Sequence, residues 1–244
     1  GITGMTTEYK SIKWLASAIK QINSNSKIIL GGALATTLPE FVLEKTEIDI
    51  VVTGEGEETI KNIMNNISKN RLRAVKGIYF KEKNKIYKNQ PQEQINDLDN
   101  IPFPDRDLFS LDKYIKSSYL KVFDNSIKTL NIVSSRGCPY NCVYCSKAMW
   151  GQKYRFRSAD NIIKEIELLK ETYGIKGIQF VDDLFVLNRE RVFELCNKII
   201  QKKLDIKWIV NGRVNLMDFE MLKKMKEAGC KVVSYGIESG NKEN

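Results

Sequence analysis

The 244-residue sequence contains no histidine, few prolines and no long apolar run. Without histidine, the usual completion of a zinc site around cysteines is excluded. No apolar stretch approaches the ~20 residues that a membrane-spanning helix needs. The opening residues, GITGMTTEYK, contain neither the basic nor the apolar region of a secretory signal. We therefore expect a cytoplasmic protein without a membrane span.

Charge and cysteine content narrow the class of protein further. The formal net charge is +9, but the lysines are scattered over the polar faces of predicted helices. Nucleic-acid binding would need a clustered basic stripe with interleaved aromatic residues, so we do not expect a nucleic-acid partner.

The five cysteines are odd in number and unevenly spaced. This pattern favours a reducing compartment with metal or redox chemistry over a disulfide framework.

Alternating strand and helix patterns predict an α/β fold. In the first third, KIILGG and IDIVVTGEGE are typical of strands that run into glycine-containing loops. From residue 127 onward, four strand patterns alternate with helix patterns. We expect an N-terminal domain over residues 1–75, a linker with a hairpin that turns near Asn84 over residues 76–126, and a third part over residues 127–244.

Three of the five cysteines lie close together in the stretch SSRGCPYNCVYCSKAMWG. Cys138, Cys142 and Cys145 follow a predicted strand, at the position where parallel α/β folds bind ligands. Structural zinc sites and simple electron-transfer 4Fe–4S sites take four protein ligands. Cys196 lies within a predicted helix and Cys230 begins a predicted strand, so we expect both to be buried as small apolar residues. The three clustered cysteines therefore predict an open metal site.

The stretch CPYNCVYC, Cys138–Cys145, resembles the signature of the radical S-adenosylmethionine (SAM) superfamily. The resemblance implies that the three cysteines hold a 4Fe–4S cluster whose fourth iron is chelated by the amino and carboxylate groups of SAM. It also implies that the reduced cluster cleaves SAM to a 5′-deoxyadenosyl radical, which abstracts hydrogen from a substrate. By the same resemblance, Tyr144 packs near the adenine of SAM.

Polar residues at the ends of the later predicted strands agree with this resemblance. Asp182 and Asp183 stand where the superfamily has its motif for the methionine amino group, in place of the commoner Gly-Gly-Glu. Arg213 follows the next strand, where it could pair with a carboxylate. Glu238 and Ser239 resemble the ribose-binding position after the fourth strand. We expect these five residues to contact SAM.

The first third of the chain resembles the cobalamin-binding domain that often precedes a radical SAM barrel. The family pattern has Ser-x-Leu and then, after a gap, Gly-Gly, and here 25 residues separate Met5 from the glycine pair. Glycines let a backbone lie close against a bulky ligand. With no histidine in the chain, the resemblance implies cobalamin without a histidine ligand from these residues. The expected cobalamin-binding residues are Thr3, Met5, Gly31, Gly32, Gly54 and Glu55.

Together these resemblances imply a partial Rossmann-like cobalamin-binding domain followed by a partial (β/α)6 radical SAM barrel, strands 1–4. The expected activity is methyl transfer to an unactivated carbon of a small molecule, with a flavodoxin or ferredoxin as reductant. Three alternatives stay open: a cobalamin-binding cyclase or rearrangement enzyme, an iron–sulfur electron-transfer module, and a nucleic-acid-modifying methylthiotransferase. Because the resemblance begins within one domain and ends within the other, we expect the 244 residues alone to be inactive.

Overall fold

A computed structural model describes residues 1–83, 85–116 and 127–241. The chain divides into two compact units. The first comprises residues 1–96 and 140–152, and the second comprises residues 97–139 and 153–244. Asn84, at the expected hairpin turn, and part of the expected linker lie outside the described residues. No helix in the described ranges is both long enough and apolar enough to cross a membrane.

The first unit contains a five-stranded sheet in the order β1-β2-β3-β4-β5. Its strands are β1 (Ile2–Thr3), β2 (Ile29–Gly31), β3 (Ile50–Val52), β4 (Ile78–Glu82) and β5 (Lys85–Lys88). Its helices are α1 (Tyr9–Ile22), α2 (Ala33–Thr37), α3 (Pro39–Lys45) and α4 (Glu57–Asn66). Strands β1, β2 and β3 are parallel, which places their carboxyl ends at one edge of the sheet.

The apolar spacing of the sequence explains the core of this unit. On α1, Ile12 and Ala16 are one helical turn apart and fully buried, against Leu30 of β2 and Val51 of β3. Pro39 opens α3, where its missing N–H costs no helical hydrogen bond. The parallel strands are therefore covered by helices, as the predicted α/β pattern requires.

The predicted hairpin forms, and it belongs to this same sheet. Strand β4 pairs antiparallel with β3, and Val52 lies opposite Ile78. Phe80 and Ile78 are buried in the core of the unit. The hairpin therefore extends the sheet by main-chain pairing, which an alternating apolar pattern alone does not reveal. The boundaries predicted at residues 75 and 126 stay a prediction.

The second unit contains a parallel sheet of four strands in the order β11-β10-β9-β6. Its helices are α5 (Leu111–Lys116), α6 (Ala159–Tyr173), α7 (Arg189–Gln201) and α8 (Phe219–Glu227). Its strands are β6 (Thr129–Ile132), β7 (Ser135–Arg136), β8 (Arg155–Phe156), β9 (Gly177–Phe180), β10 (Lys207–Gly212) and β11 (Cys230–Tyr235). The short strands β7 and β8 form an antiparallel ribbon on either side of the cysteine stretch. The expected fold, a Rossmann-like domain followed by the first strands of a barrel, is confirmed.

Capping residues set where the long helices of this unit begin and end. The side chains of Ser158, Asn188 and Asp218 accept hydrogen bonds from backbone N–H groups in the first turns of α6, α7 and α8. Gly174 ends α6 in the left-handed conformation, with φ of 66°. These caps fix where the helices between the parallel strands begin, and where α6 ends.

A buried ion-pair cluster holds residues 97–108 against the rest of this unit. The Glu165 carboxylate is 1% exposed and lies 2.8 Å from Arg106 and 2.5 Å from Arg157. Asp99 accepts a hydrogen bond from the Ser158 backbone at 2.9 Å. The segment around residues 97–108 was expected to be a linker, and its few apolar residues gave no sign of these polar contacts.

Candidate functional site

Two glycines at the carboxyl edge of the first sheet leave open space beside the backbone. Gly31 ends β2 and Gly54 follows β3, and a Cβ at either position would meet no atom within 4 Å. Gly54 also has φ of 71°, a conformation that favours glycine. A flat, bulky ligand can therefore approach the main chain closely here, which fits the predicted cobalamin site.

Thr3 and Gly32 are brought together at this edge of the sheet. Thr3 of β1 pairs with Gly31 of β2, and a Cβ on Gly32 would lie 2.6 Å from the Thr3 Oγ1 atom. Gly32 has φ of 89°, and the Leu34 N–H donates to the Gly4 carbonyl at 3.1 Å. The glycine pair is therefore required for the close approach of two turns as well as for an open surface.

The other predicted cobalamin residues differ in their surroundings. Met5 is 59% exposed, and its backbone N–H donates to the Glu8 carboxylate at 2.7 Å. Glu55 is buried, and its carboxylate accepts a hydrogen bond from the Ile95 backbone at 2.9 Å. Glu55 thus holds the chain that follows the hairpin, whereas Met5 is accessible to a ligand.

Thr36 links the glycine turns to the segment that follows the cysteines, all within the first unit. Its hydroxyl lies 3.0 Å from the Gly32 carbonyl, 3.0 Å from the Gly54 N–H and 3.5 Å from the Met149 sulfur. The Gln94 amide donates to the Trp150 carbonyl at 2.9 Å. The segment of residues 140–152, which carries Cys142 and Cys145, is therefore attached to the edge that the glycines leave open.

The three clustered cysteines are accessible to different degrees. Cys138 and Cys142 are partly buried, and Cys145 is exposed, as is Tyr144 beside it. Across the described residues, no three cysteine or acidic side chains lie close enough to hold one metal ion. The donor set nevertheless fits the predicted cluster, because thiolates are the ligands that iron–sulfur clusters take.

Cys196 and Cys230 are buried, as predicted from their positions. Burial raises the pKa of each thiol to about 12, because the thiolate loses its hydration in an apolar environment. At neutral pH these two thiols keep their protons and are shielded from solvent. The structure therefore offers no sign that either one completes a cluster.

The adjacent acidic residues after β9 face the backbone that leads into the cysteines. Asp182 is 2% exposed and accepts hydrogen bonds from the Ser134 N–H at 2.6 Å, the Ser134 hydroxyl at 2.5 Å and the Ser135 hydroxyl at 2.7 Å. Burial raises the pKa of Asp183, against a hydrogen bond from the Gly137 backbone that lowers it. Both carboxylates thus contact residues 134–137 of their own chain.

The remaining predicted SAM residues lie at the same edge of the second sheet. Arg213 follows β10 and its Nε donates to Asn215 at 2.9 Å, while Glu238 and Ser239 follow β11 and are exposed. Because the strands are parallel, their carboxyl ends share an edge with Asp182. The structure brings these residues to one edge, and their contact with SAM stays a prediction.

Several residues that shape the site were not predicted. Among them are Ser134, Ser135, Arg191 and Thr36. One signal was present for Arg191: it stands four residues before the buried Leu195, so its helix periodicity places a charge on the buried face of α7. A charge there needs a buried partner, and Asp182 lies 3.8 Å from it. For the two serines and Thr36, no comparable pattern exists in the sequence.

Comparisons with known proteins agree with this geometry. Residues 1–64 match the B12 binding domain family, and residues 132–244 match the Radical SAM superfamily. An uncharacterized methyltransferase of Pyrococcus horikoshii is 37% identical over 99% of this chain and 51% of its own length. The anaerobic magnesium-protoporphyrin IX monomethyl ester cyclase of Rubrivivax gelatinosus is 30% identical over 98% of this chain and 43% of its own length.

A solved structure has the same fold. The radical S-adenosylmethionine methyltransferase TsrM from Kitasatospora setae, with tryptophan substrate and a SAM analog bound, has a TM-score of 0.79 at 18% identity. The match covers 100% of this chain and 49% of that chain, so the chain spans about half the length of the proteins it resembles. The predicted cofactors, a 4Fe–4S cluster, SAM and cobalamin, agree with both family matches. The chain belongs to the radical SAM superfamily and carries a B12-binding domain ahead of its radical SAM domain.

Proposed function

We propose that the protein is a cobalamin-dependent radical SAM methyltransferase that acts on an unactivated carbon of a small molecule. One observation carries the proposal. In the first unit, the open turns at Gly31 and Gly54 and the segment that bears Cys142 and Cys145 are attached to each other through Thr36. A cobalamin against these glycines would lie beside the chain segment that carries Cys142 and Cys145.

The residues of the chain have separate roles in this proposal. Cys138, Cys142 and Cys145 bind three irons of the cluster and leave the fourth iron to SAM. When bound, the cluster and SAM supply a 5′-deoxyadenosyl radical, and methylcobalamin supplies the methyl group. In the proposal, exposed Tyr144 contacts the adenine of SAM and partly buried Arg213 contacts its carboxylate. In this proposal the glycine turns of the first sheet bind cobalamin, whereas the three cysteines, Tyr144 and Arg213 bind the cluster and SAM.

A cyclase or rearrangement without net methylation is the second candidate. The Rubrivivax gelatinosus cyclase favours it, at 30% identity over nearly the whole chain. The Pyrococcus horikoshii protein, described as a methyltransferase and 37% identical, favours methylation. The same residues would bind the same cofactors in either reaction, so the distinction requires a product.

The experiment that tests methylation uses methyl-labelled SAM. Anaerobically reconstituted protein from the complete reading frame is reduced with flavodoxin or ferredoxin and supplied with cobalamin and candidate small molecules. Reductive cleavage of SAM leaves the labelled methyl group on methionine, and methylation of cobalamin leaves it on methylcobalamin. Label in a product other than these two supports methyl transfer. Formation of 5′-deoxyadenosine and an unlabelled rearranged product would instead establish the cyclase. The 244 residues alone are proposed to show no turnover, because in the described residues β6 and β11 each pair on one side only.

An electron-transfer module is tested by a different pair of variants. It would need a fourth protein ligand, for which Cys196 and Cys230 are the cysteines left. We expect Cys196→Ala and Cys230→Ala to retain their iron, since both thiols are buried in the core. Loss of the cluster in either variant, with unchanged folding by circular dichroism, would favour the electron-transfer module.

A further inference from the structure

The chain enters the cysteine stretch through a pair of buried serines. Ser134 and Ser135 follow β6 and lie three residues or more before Cys138, within the same unit. Ser134 is 0% exposed and Ser135 is 2% exposed. Buried hydroxyl and N–H groups need partners, because a group left unsatisfied loses its hydration without compensation.

Asp182 supplies those partners from the neighbouring strand. Its two carboxylate oxygens accept three hydrogen bonds of 2.5–2.7 Å from Ser134 and Ser135. Charge-assisted hydrogen bonds of this length are roughly twice as strong as neutral ones. The carboxylate is 2% exposed, so these internal donors occupy it in place of a bound ligand.

Arg191 completes the arrangement from α7. Its Nη1 atom donates to the Ser134 carbonyl at 3.1 Å and hydroxyl at 3.0 Å, and its Nη2 atom donates to the Phe185 carbonyl at 2.9 Å. Arg191 Nη2 also lies 3.8 Å from the Asp182 carboxylate. The buried negative charge therefore has a buried positive partner that binds the same serine.

We infer that Asp182, together with Arg191, is a positioning residue that fixes Ser134 and Ser135 and thereby the direction in which the chain reaches Cys138. This inference rests on the proposed function in that Cys138 is taken to bind the cluster. Residues that orient metal ligands without touching the metal contribute to metal retention. Their loss typically costs about 10–100-fold in metal affinity. In this role Asp182 acts through its hydrogen bonds to Ser134 and Ser135.

Two variants and one control test the inference. Asp182→Asn replaces an acceptor oxygen by an NH₂ group that faces serine donors, and Ser135→Ala removes the hydroxyl that donates to Asp182 with little change in volume. Asp218→Asn is the control, because this aspartate caps α8 in the same unit by accepting from the Met221 N–H at 2.8 Å. Its side chain also accepts a hydrogen bond from Arg189, and its partners in the described residues lie on α7 and α8 and not in residues 134–137.

The measurement is the rate at which a chelator removes iron from the anaerobically reconstituted protein, with the folded fraction followed by circular dichroism. We expect Asp182→Asn to lose iron about tenfold faster than wild type, Ser135→Ala to lie between them, and Asp218→Asn to match wild type. Wild-type rates in Asp182→Asn and Ser135→Ala would overturn the inference, as would equal acceleration in Asp218→Asn. A wild-type protein that takes up no cluster would instead refute the proposed function.

Discussion

The backbone N–H of Gly54 donates to the Thr36 hydroxyl over 3.0 Å, so one side chain joins the two glycine turns of the first sheet. The same hydroxyl lies 3.0 Å from the Gly32 carbonyl. Since Gly31 and Gly54 border open space, Thr36 sets the separation of the two surfaces against which cobalamin is proposed to lie.

Thr36→Val should therefore weaken cobalamin binding. Valine keeps the shape of threonine but leaves the Gly54 N–H without its acceptor, a loss of about 1 kcal/mol that corresponds to roughly fivefold in affinity. Titration with hydroxocobalamin, followed by visible absorbance, measures the dissociation constant. Thr36→Ser keeps the hydroxyl and should bind as wild type does; equal affinity in the valine variant would contradict this role.

Alanine variants at Gly31 and Gly32 distinguish an effect on cobalamin binding from an effect on folding stability. A Cβ at Gly31 meets nothing within 4 Å, whereas at Gly32 it would lie 2.6 Å from Thr3 Oγ1 on a backbone with φ of 89°. We expect Gly31→Ala to keep the wild-type free energy of unfolding but to bind cobalamin more weakly. Gly32→Ala should lose about 1–3 kcal/mol of stability, as measured by urea unfolding. The reverse order of stabilities would contradict the structure.

Strand and helix alternation was sufficient to predict most of the fold. Helix ends at Ser158 and Gly174 were predictable because capping needs particular residue types at particular positions. The placement of the hairpin was not, because the pairing of β4 with β3 depends on main-chain hydrogen bonds between distant residues. The α2 helix, Ala33–Thr37, was also missed, since its five residues are too few to show a helical period.

Glu165→Gln should destabilise the second unit strongly. The change removes the negative charge between Arg106 and Arg157, whose side chains are only 10% and 11% exposed. Breaking a buried ion pair from one side costs about 3–5 kcal/mol, measurable by urea unfolding. Glu167→Gln is the control, because Glu167 pairs with Lys202 at the surface and should cost about 1 kcal/mol or less. Similar losses in both variants would contradict the buried cluster.

Thiol labelling should separate the cysteines by their environment. Burial raises the pKa of Cys196 and Cys230 to about 12, so at pH 8 the thiolate fraction of each is only about 10⁻⁴. As the pH rises towards 12, that fraction and the rate of alkylation should increase together. Mass spectrometry of cluster-free protein after iodoacetamide treatment should find label at exposed Cys145 well before these two. Comparable early labelling at Cys196 would contradict its burial; urea-unfolded protein should label at all five cysteines.

The candidate site was only partly predictable. The spacing of Cys138, Cys142 and Cys145 is a local property of the sequence, and so the proposed cluster ligands could be named directly from it. The partners of Asp182 could not, because Ser134 and Arg191 are distant in sequence and meet only when β6, β9 and α7 pack together. A carboxylate after a strand is equally typical of a ligand contact and of an internal hydrogen-bond acceptor.

The most direct test of the central claim is electron paramagnetic resonance of the anaerobically reconstituted, reduced protein with and without SAM. We expect about four irons per chain, a 4Fe–4S signal that changes when SAM is added, and loss of the signal when Cys138, Cys142 and Cys145 are replaced by alanine. A signal that survives those replacements, or one that SAM leaves unchanged, would contradict an open iron position for SAM.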